Sequence, residues 1–322
     1  MVQDVAKTRV SVCVATYNQE RYIKDCIMSV IAQQSDVELE ILVGNDCSSD
    51  GTLQILEGLM QSYPTIIKIF TPTANLGPSL NYQHLIGQAT GEMIAHLDGD
   101  DFWLPGKLAS QVSFLHSHPE CSAVYTNAAV VTPGVSLVGI FNNQLPEIQD
   151  LGYLMHRGNY LNYSSLLYRS IFKNEILSIS PPFVDYRIHC RLAIKGNLGY
   201  INRLFVFYRT GVQTSVLIHM SEFVRETYWH AILEVGSSRI SADAWNGAVR
   251  RFTVGIIWAG IRAKNPRYIF QWSKRIAHDI EASTSRIFFL GLINFFYLSI
   301  QRVYRNFFTR FDRRHVRITS WR

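Results

Sequence analysis

The sequence predicts an α/β protein: a mostly parallel sheet flanked by helices, followed by a helical C-terminal extension. Three observations lead there. Short β-branched runs alternate with stretches of helical periodicity through the first half of the chain. Polar residues stand directly after three of those runs, where open parallel sheets bind ligands. From Met220 onward the pattern is helical, with breaks near Gly236 and Pro266. The 322 residues are 48% hydrophobic and 17% charged, ample for a packed core. We place a sheet domain at residues 1–215 and a helical region at 216–322.

Val10–Ala15 is the first strand, and Ile23, Ile27, Val30 and Ile31 recur behind it at helical spacing. Leu39–Val43 is the second, closing into Gly44-Asn45-Asp46. Ser48-Ser49-Asp50-Gly51 offers N-cap chemistry to a helix carrying Leu53, Leu56 and Met60. Ile66–Phe70 is the third strand, and Pro78 fits the first turn of the next helix. Glu92–Leu97 is the fourth and runs into Asp98-Gly99-Asp100-Asp101; Pro105 then opens a helix with Leu108, Val112 and Leu115 on one face. Past residue 121, Ala123–Tyr125, Ala128–Val131 and Val135–Phe141 read as antiparallel or edge strands. A helix over Asp185–Lys195 and a strand over Leu204–Tyr208 complete the domain.

Lys plus Arg number 31 and Asp plus Glu 25, a net charge of +6. From Arg286 to Arg322 there are eight Arg and one acid, whereas the preceding 285 residues hold 23 basic and 24 acidic side chains. A body so close to neutral argues against a nucleic-acid binder. Five cysteines without a C-x-x-C pair argue for reduced thiols in a cytoplasmic setting. Residues 1–9 lack the apolar stretch of a signal peptide.

The chemistry-bearing residues gather at predicted strand ends: Thr16-Tyr17-Asn18, Asn45-Asp46 and Asp98-Gly99-Asp100-Asp101. A nucleotide lying across them would meet a ring-stacking Tyr, a carboxylate able to accept from a base N–H, and an acidic cluster. That cluster suits Mg2+ or Mn2+, which take oxygen ligands and often only one or two carboxylates beside substrate phosphates. No G-x-G-x-x-G follows the first strand and no G-x-x-x-x-G-K-[ST] occurs, which sets aside dinucleotide oxidoreductases and P-loop ATPases.

Val10-Ser11-Val12-Cys13-Val14-Ala15-Thr16-Tyr17-Asn18, Glu40-Ile41-Leu42-Val43-Gly44-Asn45-Asp46 with Ser48-Ser49-Asp50-Gly51-Thr52, Asn75-Leu76-Gly77 and Leu97-Asp98-Gly99-Asp100-Asp101 stand in that order. Together they resemble the family 2 glycosyltransferases, enzymes of the GT-A fold that use nucleotide sugars. The resemblance implies metal-dependent, inverting sugar transfer. It implies that Thr16 and Tyr17, with Asn18 beside them, hold the base, that Asp46 pairs with its ring N–H, that Asp98 and Gly99 lie by the ribose and sugar, and that Asp100 binds the metal. Asp101 matches an acid common in the family or caps the following helix. The family places its base in an acidic pair before a helix ending in Arg-Leu-x-x-x-Gly; Val184-Asp185 and Arg191-Leu192-Ala193-Ile194-Lys195-Gly196 match, with Val184 replacing the first acid. Asp185 is then the base, or a helix N-cap, or both. Where the family often has Tyr-Arg-x-His, this chain reads Tyr208-Arg209-Thr210-Gly211, and whether Arg209 compensates stays open. His84, His96, His116 and His118 read as packing or surface residues.

Val303, Tyr304, Phe307, Phe308 and Phe311 form one face of a helix whose other side is Arg-rich, after the apolar run Ile287–Ile300. This reads as a surface helix docking residues 286–322 on an anionic membrane, or as a helix packed on the body with solvated Arg residues. The run is too short to span a bilayer. The expected partners are a nucleotide diphosphate sugar, most simply a UDP-sugar, a glycan or lipid-linked glycan acceptor, and the inner face of a bacterial membrane; no nucleic acid is expected. Two rivals are a nucleotidyltransferase and a membrane-tethered nucleotide-sugar-binding module that has lost catalysis.

Overall fold

The computed structural model describes residues 7–34, 37–211, 221–285, 287–289, 291–293 and 295–296. They divide into two compact units: one takes the chain to Leu151 and again Tyr160–Tyr228, the other Gly152–Asn159 and the residues from Trp229 onward.

The first unit is built on one sheet. β1 (Arg9–Thr16) pairs in parallel with β2 (Glu38–Asn45) on one side and β4 (Met93–Asp98) on the other, and β2 pairs in parallel with β3 (Ile67–Phe70). Val10, Val12, Cys13 and Val14 are fully buried, the continuous apolar run of a parallel strand covered on both faces. α1 (Ile23–Ile31) buries Ile23, Cys26, Ile27, Val30 and Ile31, one stripe at helical spacing. α2 (Thr52–Ser62) follows β2, and α3 (Gly77–Gln88) follows β3 with Pro78 in its first turn. Between β4 and α4 (Lys107–Ser117) lies a short strand, β5 (Phe102–Trp103), absent from the sequence reading. Gly106, in the left-handed region at φ 79°, begins α4, so Pro105 precedes that helix rather than opening it.

Ala123–Tyr125 and Ala128–Val131 are not edge strands. They are one strand, β6 (Cys121–Val131), buried at every position. Thr126-Asn127 looks like a turn in sequence, but the Asn127 amide is satisfied inside the fold: its Nδ2 donates to the Asn142 carbonyl at 2.7 Å and its Oδ1 accepts the Asn142 N–H at 3.0 Å. β6 carries an antiparallel hairpin partner, β7 (Leu137–Ile140). β8 (Ile148–Gln149) leads into α5 (Leu151–Arg157); β9 (Leu167–Arg169), α6 (Lys173–Leu177), α7 (Asp185–Lys195) and β10 (Asn197–Arg209) follow. The strand order is β3-β2-β1-β4-β9-β6-β10-β5. β9 runs antiparallel to β4 and β6, β10 parallel to β6, and β5 and β8 antiparallel to β10.

A buried carboxylate fastens the start of three strands. Glu40 accepts from Ser11 Oγ at 2.6 Å, Lys68 Nζ at 3.0 Å, and the N–H and Oγ1 of Thr90 at 3.1 and 3.0 Å. The Ser11 oxygen in turn takes the Gly91 N–H at 2.8 Å.

The described residues from Ser221 onward are helical, and the second unit takes them up at Trp229, within α8 (Ser221–Val235). α8 ends before Gly236, whose positive φ of 72° is one that glycine adopts freely. α9 (Ala242–Arg262) is capped by the Ser241 oxygen, and α10 (Pro266–Asp279) by Asn265 with Pro266 at its first position. Both expected breaks are therefore real. Trp229 stacks on Phe252 at 5.0 Å, Phe252 meets Trp272 at 5.4 Å, and Trp229 Nε1 donates to Asp279 at 2.8 Å. Among the described residues no helix is long and apolar enough to cross a membrane. The expected helix through Val303–Phe311, and Ile300 with the other final residues of the apolar run, lie outside the described residues.

Candidate active site

The sheet register sets three strand ends side by side, Thr16 opposite Asn45 and Ala15 opposite Asp98. The backbone beyond them is stitched across: the Asp46 N–H donates to the Thr16 carbonyl at 3.0 Å and the Gly99 N–H to the Ala15 carbonyl at 2.9 Å. Thr16, Asp46, Asp98 and Gly99 thus share one edge, the carboxyl end of parallel strands. A Cβ on Gly99 would lie 2.3 Å from Gln19 Oε1 and 2.8 Å from Thr16 Cβ, so the close approach of β1 requires glycine there. Thr16 Oγ1 itself donates to Gln19 Oε1 at 2.7 Å.

Tyr17 is 43% exposed and leaves a ring face open at this edge. Asn18, at φ 54°, braces the neighbouring loop: its N–H donates to Ser48 Oγ at 2.9 Å and its Oδ1 accepts the Ser49 N–H at 2.8 Å. Asp46 is buried, and its two carboxylate oxygens accept the N–H groups of Leu76 and Gly77 at 2.7 and 2.8 Å. This explains why Asn75-Leu76-Gly77 accompanies Asp46. Each carboxylate oxygen keeps a further lone pair for a ligand N–H.

In the acidic turn, Asp98 Oδ1 lies 2.9 Å from His96 Nε2, and Asp98 Oδ2 accepts from Ser164 Oγ at 3.3 Å. Burial, then the neighbouring Asp98 charge, pushes the Asp100 carboxyl up to about 7. Asp101 is not a helix cap. It is buried and accepts from Ser164 Oγ at 2.6 Å and the Arg209 N–H at 2.8 Å, tying the turn to β10. Arg209, also buried, donates from its guanidinium to the Asp100 carbonyl, lies between the rings of Tyr22 and Phe102 at 4.7 and 4.9 Å, and stands 3.7 Å from Asp25. Asp98 and Asp100 offer the hard oxygen donors a divalent cation takes, leaving the rest of its shell to phosphate and water. Among the described residues no three His, Cys, Asp or Glu side chains converge as a fuller metal cage.

Asp185 sits on another element, as the first residue of α7 after the extended Val184, and its Oδ1 accepts the Tyr186 N–H at 2.8 Å. Three rings, those of His96 and His189 buried and that of Tyr163 half-buried, connect it with the acidic turn. The Tyr163 ring stacks on His96 at 3.7 Å and meets His189 edge-on at 5.9 Å, and His189 Nε2 lies 3.9 Å from Asp185 Oδ2. The sequence assigns no role to Ser164 or His189 and reads His96 as a packing or surface residue; His96 is buried against Tyr163. Two of them carried a signal: His96 shares a strand face with Asp98 two residues on, and His189 shares a helix face with Asp185 four residues before.

Residues 11–145 match the sequence model of Glycosyl transferase family 2. An uncharacterized protein of Mycobacterium tuberculosis (strain ATCC 25618 / H37Rv) is 27% identical over 205 residues, 62% of this chain and 58% of that protein. The chain thus spans little more than half the length of that relative. The dTDP-rhamnosyl transferase RfbG of Shigella flexneri is 37% identical over 106 residues, 31% of this chain and 36% of its own. Among solved structures, S. aureus TarS 1–349 in complex with UDP-GlcNAc matches with a TM-score of 0.66 at 20% identity, over 87% of this chain and 82% of that one. The α/β GT-A fold expected from the sequence is the fold observed.

Proposed function

We propose that this chain, whose residues 11–145 match the model of Glycosyl transferase family 2, is an inverting glycosyltransferase. It moves a sugar from a nucleoside diphosphate sugar to a glycan or lipid-linked glycan acceptor in cell-surface polysaccharide synthesis. The observation that carries the reading is the convergence of Thr16, Asp46, Asp98 and Gly99 on one carboxyl edge. In this reading Thr16, Tyr17 and Asn18 frame the base, Asp46 accepts its ring N–H, and Asp98 and Gly99 border the ribose and sugar. Asp100, with Asp98 beside it, would hold Mn2+ or Mg2+, which when bound offsets charge on the departing diphosphate. Asp185 takes the proton of the acceptor hydroxyl as its oxygen attacks the anomeric carbon and the bond to the diphosphate breaks. A pyrimidine nucleotide, UDP first, is favoured by the UDP-GlcNAc complex of TarS and the dTDP-sugar named for RfbG.

The test is calorimetric titration of UDP, GDP, CDP and dTDP with and without Mn2+, on the protein and on Asp100→Ala. Metal-dependent binding of one nucleotide, lost in the variant, is expected. No binding of any would sink the reading, whereas binding without transfer over a broad acceptor panel would favour the catalytically silent module.

A membrane partner has its own support. Phe289, Ile293 and Phe296, four and three residues apart, are 62%, 63% and 60% exposed, an apolar stripe at helical spacing just before the Arg-rich tail. Liposomes containing anionic lipid should retain the full chain and release one ending at residue 285. Equal retention of both would end this reading.

A further inference from the structure

His189 is fully buried on α7 and contacts two polar partners at once. Its Nδ1 lies 2.7 Å from the Tyr125 hydroxyl on β6, and its Nε2 lies 3.9 Å from Asp185 Oδ2. Burial pushes the Tyr125 phenol well above its ordinary range, and Tyr160, Asp185 and Cys190 push it the same way. The phenol therefore keeps its proton and is able to donate to Nδ1. A neutral imidazole that accepts at Nδ1 carries its own hydrogen on Nε2, the nitrogen facing the carboxylate.

We propose that His189, fixed at Nδ1 by Tyr125, is a positioning residue for Asp185, orienting its carboxylate and favouring the charged form that can accept a proton. The assignment deepens the reading of Asp185 as the base and rests on it. It also gives Tyr125 a purpose: a fully buried hydroxyl in mid-strand is costly unless its bond is made.

Asp185 faces His189 from its own helix, Tyr125 from β6, and Tyr163 from the turn that also meets His96. Glu175 on α6 pairs instead with Arg191 and Lys195 at 3.9 and 2.8 Å, further along α7. The sign does not depend on the charge of the imidazole. At 3.9 Å the contact is electrostatic and not a hydrogen bond, and a neutral ring turning its Nε2–H toward the carboxylate and a protonated ring both favour the charged form. Loss of His189 therefore raises the pH at which Asp185 gives up its proton.

The decisive measurement needs no acceptor. Carboxyl-13C aspartate labelling of the full chain, with Asp185→Asn to identify the resonance, follows Asp185 through a pH titration by NMR. In His189→Leu the Asp185 midpoint should rise by about 1 pH unit. Tyr125→Phe should raise it less, and His189→Gln, which can still present an N–H, should lie between wild type and His189→Leu. An Asp185 midpoint identical in wild type and His189→Leu, with both folded by their melting curves, would overturn the proposal. UDP release from UDP-GlcNAc tests the parent reading separately. Asp185→Asn should lose release by two orders of magnitude or more, and His189→Leu about tenfold with the donor KM unchanged. Full release in Asp185→Asn would remove Asp185 as the base, and with it the catalytic part of this proposal.

Discussion

The backbone N–H of Arg209 donates to the Asp101 carboxylate at 2.8 Å, across 108 residues of chain. The same carboxylate takes the Ser164 hydroxyl at 2.6 Å, so one buried acid joins the turn after β4, the turn before β9 and the end of β10. Asp101→Ala would leave the Arg209 N–H buried without a partner and the Ser164 hydroxyl with only its longer 3.3 Å bond to Asp98, at about 1–3 kcal/mol for each bond lost. Chemical denaturation should show a loss of about 3 kcal/mol for Asp101→Ala and less than about 1 kcal/mol for Asp101→Asn, which keeps an acceptor oxygen. Equal losses for the two would mean that charge, not hydrogen bonding, holds the turn.

Asp185 offers the sharpest split between binding and chemistry. Asp185→Asn keeps the shape of the first turn of α7, so nucleotide affinity should stay within twofold while turnover falls ~10²–10⁴-fold, the usual worth of a general base. A parallel loss of nucleotide affinity would place Asp185 in donor binding.

Gly99 is a steric prediction. The absent Cβ would fall 2.3 Å from Gln19 Oε1 and 2.8 Å from Thr16 Cβ. Gly99→Ala must therefore displace β1's end or the acidic turn, and nucleotide affinity should drop at least about tenfold, or ~1.4 kcal/mol. Adding Gln19→Ala removes only the first clash, so rescue should be partial; complete rescue would show that Thr16 yields freely.

Glu40 sets an acid limit. Burial raises its proton affinity, but hydrogen bonds from Ser11, Lys68 and Thr90 outweigh that and bring the carboxyl down to about 2, from an ordinary 4.5. A depressed folded-state value means stabilisation that is complete above pH 4.5 and lost as pH falls toward 2. The amount is roughly 3 kcal/mol. Unfolding midpoints of Glu40→Gln should start lower and vary less between those limits than the wild type's. Parallel curves would show that other acids govern acid unfolding.

The first four strands were legible because parallel strands buried on both faces leave unbroken β-branched runs, as in Val10–Ala15. Their polar ends located Thr16, Asp46 and Asp98 without further help. β6 was not legible, since its Thr126-Asn127 pair is polar for a reason that only the fold supplies, the bonds to Asn142. Nor could spacing alone single out His96 and His189 from the other histidines. Burial decides that, and both are 1% exposed or less. Asp101 stood between an acid common in the family and a local helix cap, and its partners in the fold, Ser164 and Arg209, lie too far along the chain for spacing to show.

The sheet order has a consequence for how the protein is made. β6 lies between β9 and β10, both of which follow it by dozens of residues. A nascent chain that has emerged only through residue 145 holds every strand of the parallel half, yet one flank of β4 lacks its neighbour and β6 has only its hairpin partner β7, with β9 and β10 still to come. Pairings this distant in sequence close slowly, and unpaired strand edges invite aggregation while they wait. The acidic turn cannot take its final shape until Arg209 has left the ribosome, so the proposed donor site is complete only once nearly two-thirds of the chain has been synthesised.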